Sequence, residues 1–420
     1  MKNILIEQNP HWQNRLYKSV KRDALNKLIS YLPLKQIIII TGIRRCGKST
    51  LAKQAINYLI ERGVDPKNIF FINMENPFFL EHNQNPAYLD VIYEEYLKLI
   101  NPKGKVYCIF DEIQYFENWQ VYIKSKYETS DIKFIITGSN SSMLSNELNT
   151  LLSGRALNIH LNTFSFTEFL DYKEIPYSNE LEQISNRIEI ARAKEEFLKW
   201  GGFYEVFDTK DELIKKEILI NYAKNIIYQD IVPRYGIRNS QTLERLFFYL
   251  LSNSTNLINY TSLSKTFEIN DKTLKEYINY FEDTFLLKRV DKFHNKQKEI
   301  IKSFKKVYAL DNGFLQIAPK FSKNLGSSLE NMVYIVLNQK SENIYYLKEL
   351  QEIDFFNTKN LYQVSFDISD EKTKQREINA FSYFNDKNKY KNILITYDTN
   401  MTLEGVEVVS FEKFIFSLSL

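Results

Sequence analysis

Lys48 and Ser49 close the run Gly42-Ile43-Arg44-Arg45-Cys46-Gly47-Lys48-Ser49, which has the glycine spacing and the Lys-Ser ending of a phosphate-binding loop. Glycines let backbone N–H groups turn inward around phosphate oxygens, and a helix that begins there adds the positive end of its dipole. Lys48 is then placed to reach the β- and γ-phosphates of a nucleotide, and Ser49 to ligate magnesium. Gly42, Ile43, Arg44, Arg45, Cys46, Gly47, Lys48, Ser49 and Thr50 are the expected nucleotide-binding set. A second group lies in Val106-Tyr107-Cys108-Ile109-Phe110-Asp111-Glu112. Here Asp111 would hold the magnesium shell, and Glu112 would orient or deprotonate the water attacking the γ-phosphate. Downstream, Lys133-Phe134-Ile135-Ile136-Thr137 ends in Gly138-Ser139-Asn140, where Ser139 and Asn140 are candidate sensors of the γ-phosphate or the water.

Positioning these residues requires strands that end at one place. The apolar runs Ile37 to Thr41, Ile69 to Asn73, Val106 to Phe110, Phe134 to Thr137 and Leu157 to Leu161 read as strands. They alternate with amphipathic stretches, which predicts an α/β unit with a mostly parallel sheet. The loop follows the first strand and opens the helix-compatible stretch Thr50 to Ala55. From Phe166 to Ile237 the pattern turns helical, with Ile184, Ile188, Ala191 and Leu198 expected on one buried face before Trp200-Gly201-Gly202 breaks the run.

A third unit begins near Ser240. Leu243, Leu246, Phe247, Leu250 and Leu251 form a helical stripe, a second short helix follows from Thr261, and Asn270 or Asp271 can cap a third. With a strand from Leu286 to Phe293, this order suits a winged helix whose third helix would enter a DNA major groove. The basic run Lys288, Arg289, Lys292, Lys296, Lys298, Lys302, Lys305 and Lys306 would then hold phosphates. Further strands are expected at Ile344 to Leu347, Ile353 to Phe356, Leu361 to Phe366 and Ile393 to Thr396.

The composition excludes several classes. A chain of 420 residues suggests two to four domains, and a formal net charge of +3 argues against a polycation coat. Cys46 and Cys108 are its two cysteines, so neither a disulfide framework nor a thiolate zinc site can be built. His11, His82, His160 and His294 form no ligand-spaced pair. No secretory leader or membrane-spanning run is read from the sequence, which predicts a cytoplasmic protein without a membrane partner.

Four motifs together resemble bacterial and archaeal AAA-type ATPases. They are the loop at Gly42, Phe110-Asp111-Glu112-Ile113-Gln114, Thr137-Gly138-Ser139-Asn140-Ser141, and Leu152-Ser153-Gly154-Arg155. The resemblance implies that Arg155, just before the last core strand, reaches the nucleotide of a neighbouring subunit, and so implies a homo-oligomer. It also covers Gly201-Gly202-Phe203, where Tyr204-Glu205 replaces the Pro-Glu that commonly follows, and the segment Tyr228 to Arg234. The C-terminal part resembles the restriction-endonuclease-like PD-(D/E)XK fold, whose metal site would correspond to Glu330, Asp354, Gln363 and Ser365. Serine stands where that site needs a lysine, so a degenerate scaffold is expected unless another basic residue, such as Arg376, moves in.

The implied fold is α/β. It comprises an AAA+ P-loop core over 1–165, a helical lid over 166–237, a winged helix over 238–306 and a restriction-endonuclease-like domain over 307–420. The implied function is hydrolysis of ATP with magnesium, coupled to binding or remodelling of a DNA or protein target. The alternatives are an ATP-dependent nuclease of a defence system and a slow-turnover ATP switch.

Overall fold

The computed structural model describes residues 1–141, 152, 154–319, 324–340, 343–385, 389–403 and 405–419. Contacts divide the chain into two compact units, Met1–Asn162 and Thr163–Leu420. Ser153 of the Leu-Ser-Gly-Arg motif lies outside the described residues.

In the first unit, β1 (Ile37–Thr41), β2 (Ile69–Asn73), β3 (Val106–Asp111), β4 (Ile132–Gly138) and β5 (Ala156–His160) form one sheet. Its order is β2-β3-β4-β1-β5, and every pairing is parallel. Every residue of β1 and β4 is buried, as continuous apolar strands covered on both faces must be. The carboxyl ends of β1, β3 and β4 lie side by side, so the loop leaving β1 meets Asp111 and Ser139 at one edge of the sheet. Parallel sheets collect their functional groups there.

Two devices set this sheet in place. Asn9 bonds both the N–H and the C=O of Phe71, at 2.7 and 2.8 Å, and His11 Nε2 lies 2.9 Å from the Ile69 carbonyl. The N-terminal segment therefore satisfies the outer edge of β2, which would otherwise stand open to a stray strand. Burial pushes His11 down to about 4, so it sits there neutral. On the other side Lys133, buried within β4, donates to the carbonyls of Tyr31, Leu34 and Gln36. These carbonyls end the helix Ala24–Tyr31 and lead into β1. Burial lowers this lysine to about 8.

The second unit begins with helices. Ser165 and Glu168 form a reciprocal capping box that starts the helix Phe166–Tyr172. The helix Arg187–Trp200 buries Ile190, Ala193, Phe197 and Leu198. The expected face is therefore corrected: Ile184 and Ile188 are 58% and 56% exposed, and Ala191 is exposed as well. Ile184 belongs to a separate helix, Glu180–Ser185, and of the three that lie in Arg187–Trp200 Leu198 alone is in the core, on the side where Phe197 packs against Phe166 and Phe169.

The Trp200-Gly201-Gly202 break is a point of close approach. Gly201 has φ +73°, and a Cβ there would lie 1.9 Å from Asp311 Oδ1. Asp311 Oδ2 accepts from Thr163 Oγ1 and from the Gly202 N–H, and Oδ1 accepts from the Gly313 N–H. Burial nevertheless raises Asp311 to about 6. Gly201 thus lets that carboxylate in, while a Cβ on Gly202 would lie 2.2 Å from the Phe164 carbonyl oxygen.

The remaining strands are β6 (Leu257–Ile258), β7 (Leu287–Lys292), β8 (Lys305–Ala309), β9 (Tyr345–Lys348), β10 (Glu352–Phe356), β11 (Asn360–Ser365), β12 (Lys391–Thr396), β13 (Met401–Leu403) and β14 (Val406–Ser410). They form one nine-stranded mixed sheet in the order β13-β14-β12-β11-β10-β9-β7-β8-β6. The sequence boundary expected at 306/307 thus falls inside β8. β7 and β9 pair in parallel through Asp291↔Tyr345 and Lys292↔Tyr346, which carries the sheet across the two segments that were expected to be separate. Residues 166–237, expected as a lid, likewise cluster with the rest of the second unit. Asn331 is fully buried and bonds Ser254 Oγ, Asn312 Oδ1 and both backbone groups of Ala309. It fixes the helix Leu325–Lys340 to β8 through a satisfied polar network.

Candidate nucleotide site and a distal carboxylate cluster

The loop between β1 and the helix Lys48–Glu61 has the backbone geometry that a bound phosphate would need. Gly42 has φ +153°, and a Cβ there would sit 2.1 Å from the Leu161 carbonyl oxygen, so only glycine fits beside β5. Gly47 (φ +99°) is the N-cap of the helix and provides no side-chain cap, leaving the first-turn N–H groups for an anion. Arg45 also adopts positive φ, +70°, which is backbone strain concentrated at the loop.

Two arginines brace the loop. Arg22, buried, donates to the Cys46 carbonyl at 2.6 Å and to the Asn162 carbonyl at 2.8 Å. Arg44 pairs with Glu75 and bonds the Tyr115 hydroxyl. Sequence reading missed Arg22, which stands in an ordinary polar run with no spacing signal, and did not foresee that the Arg44 side chain would brace the loop.

Lys48 is buried and donates to the Gly42 and Ile43 carbonyls at 3.2 and 3.3 Å, and its Nζ lies 3.3 Å from Glu112 Oε1. Burial opposes the charge on each partner, but their mutual attraction outweighs it: Lys48 is held above the ordinary lysine value and Glu112 below the ordinary carboxylate value. Ser49 Oγ donates to Asp111 Oδ1 at 2.9 Å, and Thr137 Oγ1 donates to the same oxygen at 2.6 Å. Asp111 Oδ2 is buried without a hydrogen-bond partner. Burial, then the neighbouring Glu112 charge, raises the Asp111 pKa, a cost that a cation beside Oδ2 would relieve.

A cavity of about 500 Å³ lined by Ser49, Lys53, Asn73, Glu75 and Asp111, among others, opens there. The oxygen donors of Ser49 and Asp111 suit magnesium, whose preference is for oxygen and water. Ser139 and Asn140 are buried just past β4, and Ser139 Oγ accepts from Gln114 Nε2 at 3.1 Å. Thr137, read only as part of a motif, proves to be the residue that joins Asp111 to the Glu112 backbone.

Arg155 is elsewhere. Its carbonyl accepts from the Ile37 N–H, which places it where β1 begins, at the end of the sheet opposite the loop. Its guanidinium pairs with Glu128 at 3.0 Å.

In the second unit, Glu330, Asp354 and Gln363 come together, while Ser365 turns aside to the Asp367 carbonyl. Arg376 does not enter; it pairs with Glu377, which in turn accepts from Gln363 Nε2. The cation that does arrive is Lys306 of β8. Its Nζ lies 3.2 Å from Glu330, 2.7 Å from Glu352 and 3.2 Å from Asp354. This corrects the expected role of Lys306 in a phosphate-holding wing. Lys288 and Arg289 are paired with Glu282, and Lys305 with Asp291. Among the described residues no group of three or more His, Cys, Asp or Glu side chains is arranged to hold a metal.

Burial and the Asp354 charge raise Glu330 to about 7, so the cluster depends on the lysine. Lys306→Met, which leaves the carboxylates uncompensated, is expected to destabilise the protein by about 3–5 kcal/mol, read as a lower denaturant midpoint. Lys306 holds Glu330 down, so its carboxyl rises above about 7 when the lysine is removed; the variant then takes up protons that the parent does not as pH falls toward about 7, and the deficit should shrink as pH is lowered through that range.

The parallel β2-β3-β4-β1-β5 sheet carries its glycine loop after β1 and its carboxylates after β3, and a family profile described as an AAA domain matches residues 34–170. A profile described as a domain of unknown function (DUF8612) matches residues 192–325. A Haemophilus influenzae protein described as uncharacterized is 31% identical over 402 residues, 93% of this chain and 96% of that protein. An uncharacterized Methanocaldococcus jannaschii protein is 33% identical over 411 residues, 94% of this chain and 88% of that protein. The chain belongs to the family that these two proteins represent. The solved structure of the Aeropyrum pernix ORC1 protein in complex with DNA covers 70% of this chain and 90% of its own, with 10% identity and a TM-score of 0.34, a likeness too loose to bear on function. No described helix is long and apolar enough to cross a membrane.

Proposed function

We propose that this protein binds and hydrolyses ATP with magnesium and couples that cycle to engagement of a target. The observation that carries the reading is Asp111 Oδ2, buried and without a partner beside Ser49, Lys48 and Glu112. Ser49 and Asp111 would hold magnesium, which when bound neutralises charge on the phosphate oxygens. Lys48 exchanges Glu112 for the phosphates, and the backbone N–H groups from Arg44 to Thr50 surround them. Glu112, freed of that pairing, accepts the proton of the attacking water, with Ser139 and Asn140 next to it.

Arg155 lies too far along the sheet to serve its own loop, which supports action on the nucleotide of a second copy. For the target, DNA is favoured by one observation in the second unit. Helices Ser240–Ser252, Tyr260–Thr266 and Asp271–Asp283 precede the antiparallel β7–β8 hairpin, with β6 added on β8, an order that a winged helix would have. Lys292, Lys296, Lys298 and Lys302 remain for phosphate contact. The nuclease reading is weakened by Lys306, which fills the space a metal would need.

The test is steady-state ATP hydrolysis with and without duplex DNA, alongside the particle size in ATP. Turnover stimulated by DNA is expected, and indifference to DNA would shift the target to a protein. Arg155→Ala is expected to lower turnover in the assembled state by about 10³-fold or more while leaving ATP affinity within a few-fold. Normal hydrolysis by the assembled variant would remove the second copy from the site.

A further inference from the structure

Gln114 connects the carboxylate at the reaction centre to the hydroxyl at the tip of β4. Its Nε2 donates to Glu112 Oε2 and, at 3.1 Å, to Ser139 Oγ. Its Oε1 is buried with no hydrogen-bond partner. Chemistry sets the orientation of this amide: turned over, Oε1 would face the Glu112 carboxylate, acceptor against acceptor. The Glu112 main chain is already pinned, with φ +51° and its N–H donated to Thr137 Oγ1 at 2.9 Å. The side chain is therefore the movable part.

The two carboxylate oxygens of Glu112 are held by different groups, Oε1 by Lys48 and Oε2 by Gln114. Phosphates compete for an ammonium such as that of Lys48. They do not compete for Gln114.

On the ATPase reading above, we infer that Gln114 is a positioning residue for hydrolysis. It keeps Glu112 Oε2 in place when Lys48 turns to the nucleotide, and it couples that carboxylate to Ser139. Without the amide, Glu112 regains rotamer freedom at the moment it must orient water, and misplacement of about 1 Å at a reacting group costs rate rather than binding.

The test is steady-state ATP hydrolysis by full-length Gln114→Met, which keeps the length and bulk of the side chain but has no donor. We expect kcat to fall about 10²-fold, with the KM for ATP within about three-fold and the unfolding midpoint unchanged. Should the Met variant unfold more easily, Gln114→Asn, one methylene too short to bridge, carries the same expected split. A substituted protein with the parental kcat, or one whose entire loss lies in KM, overturns the role of Gln114 alone. A parent protein with no turnover overturns the ATPase reading and this inference together.

Discussion

Glu112→Gln is expected to cut steady-state ATP hydrolysis by roughly 10²–10⁴-fold while the protein still captures ATP, and to capture it more tightly than the parent. The first part follows from removal of the proton acceptor next to Asp111. The second follows from the pair that Lys48 and Glu112 make, 3.3 Å apart with side chains 3% and 11% exposed. Before phosphates can take Lys48, that pair must separate, and its attraction is little screened by solvent. Glutamine preserves the shape and removes the charge, so the competition for Lys48 weakens. Phosphate release under saturating ATP gives the rate, and equilibrium binding of a non-hydrolysable analogue gives the affinity. Unchanged turnover would remove Glu112 from the chemistry, and weaker binding would show that the Lys48 pair does not compete with nucleotide.

Gly201→Ala is expected to destabilise the protein by about 3–5 kcal/mol, combining overpacking with strain in an extended positive-φ conformation (ψ −160°) that is essentially glycine's alone. Both contributions are visible: φ is +73°, and the added Cβ would come within 1.9 Å of Asp311 Oδ1 and 2.6 Å of the Gly313 nitrogen. Asp311 cannot retreat cheaply, because its oxygens hold Thr163, Gly202 and Gly313. Gly236, in the left-handed helical region at ψ 39° rather than −160°, is the milder comparison. It also has positive φ, +61°, yet a Cβ added there would meet nothing within 4 Å, so Gly236→Ala should cost only about 1–2 kcal/mol. Denaturant unfolding of both variants measures the difference. Equal losses would mean that the approach of Asp311 is not what makes Gly201 necessary.

The cluster of Lys48, Ser49, Asp111 and Glu112 was legible because its residues stand in two short runs. Phosphate binding asks for glycines, a lysine and a serine within one short run between strand and helix, and Asp111 and Glu112 complete it at the end of an apolar strand. Period and spacing therefore reached Lys48, Ser49, Asp111 and Glu112 before any contact was known. The five strands of the first unit were legible for the same reason, being unbroken apolar runs. The helix at Arg187 was not: its apolar residues admit more than one face, and packing of Phe197 against Phe166 and Phe169 chose between them.

What lay beyond reach of the linear chain depends on pairs far apart in it. Lys306 reads as one more lysine in a basic run until β8 carries it into the carboxylates of Glu330, Glu352 and Asp354. Gln114 reads as the tail of a motif until its amide meets both Glu112 and Ser139. Arg22 has no signal at all until it is seen beneath the Cys46 carbonyl. Backbone geometry and apolar periodicity are written residue by residue, so the loop, its strands and its first carboxylates could be read directly. Electrostatic partnership is a property of distance in space, so which cation serves which carboxylate was settled only when the sheets brought them together.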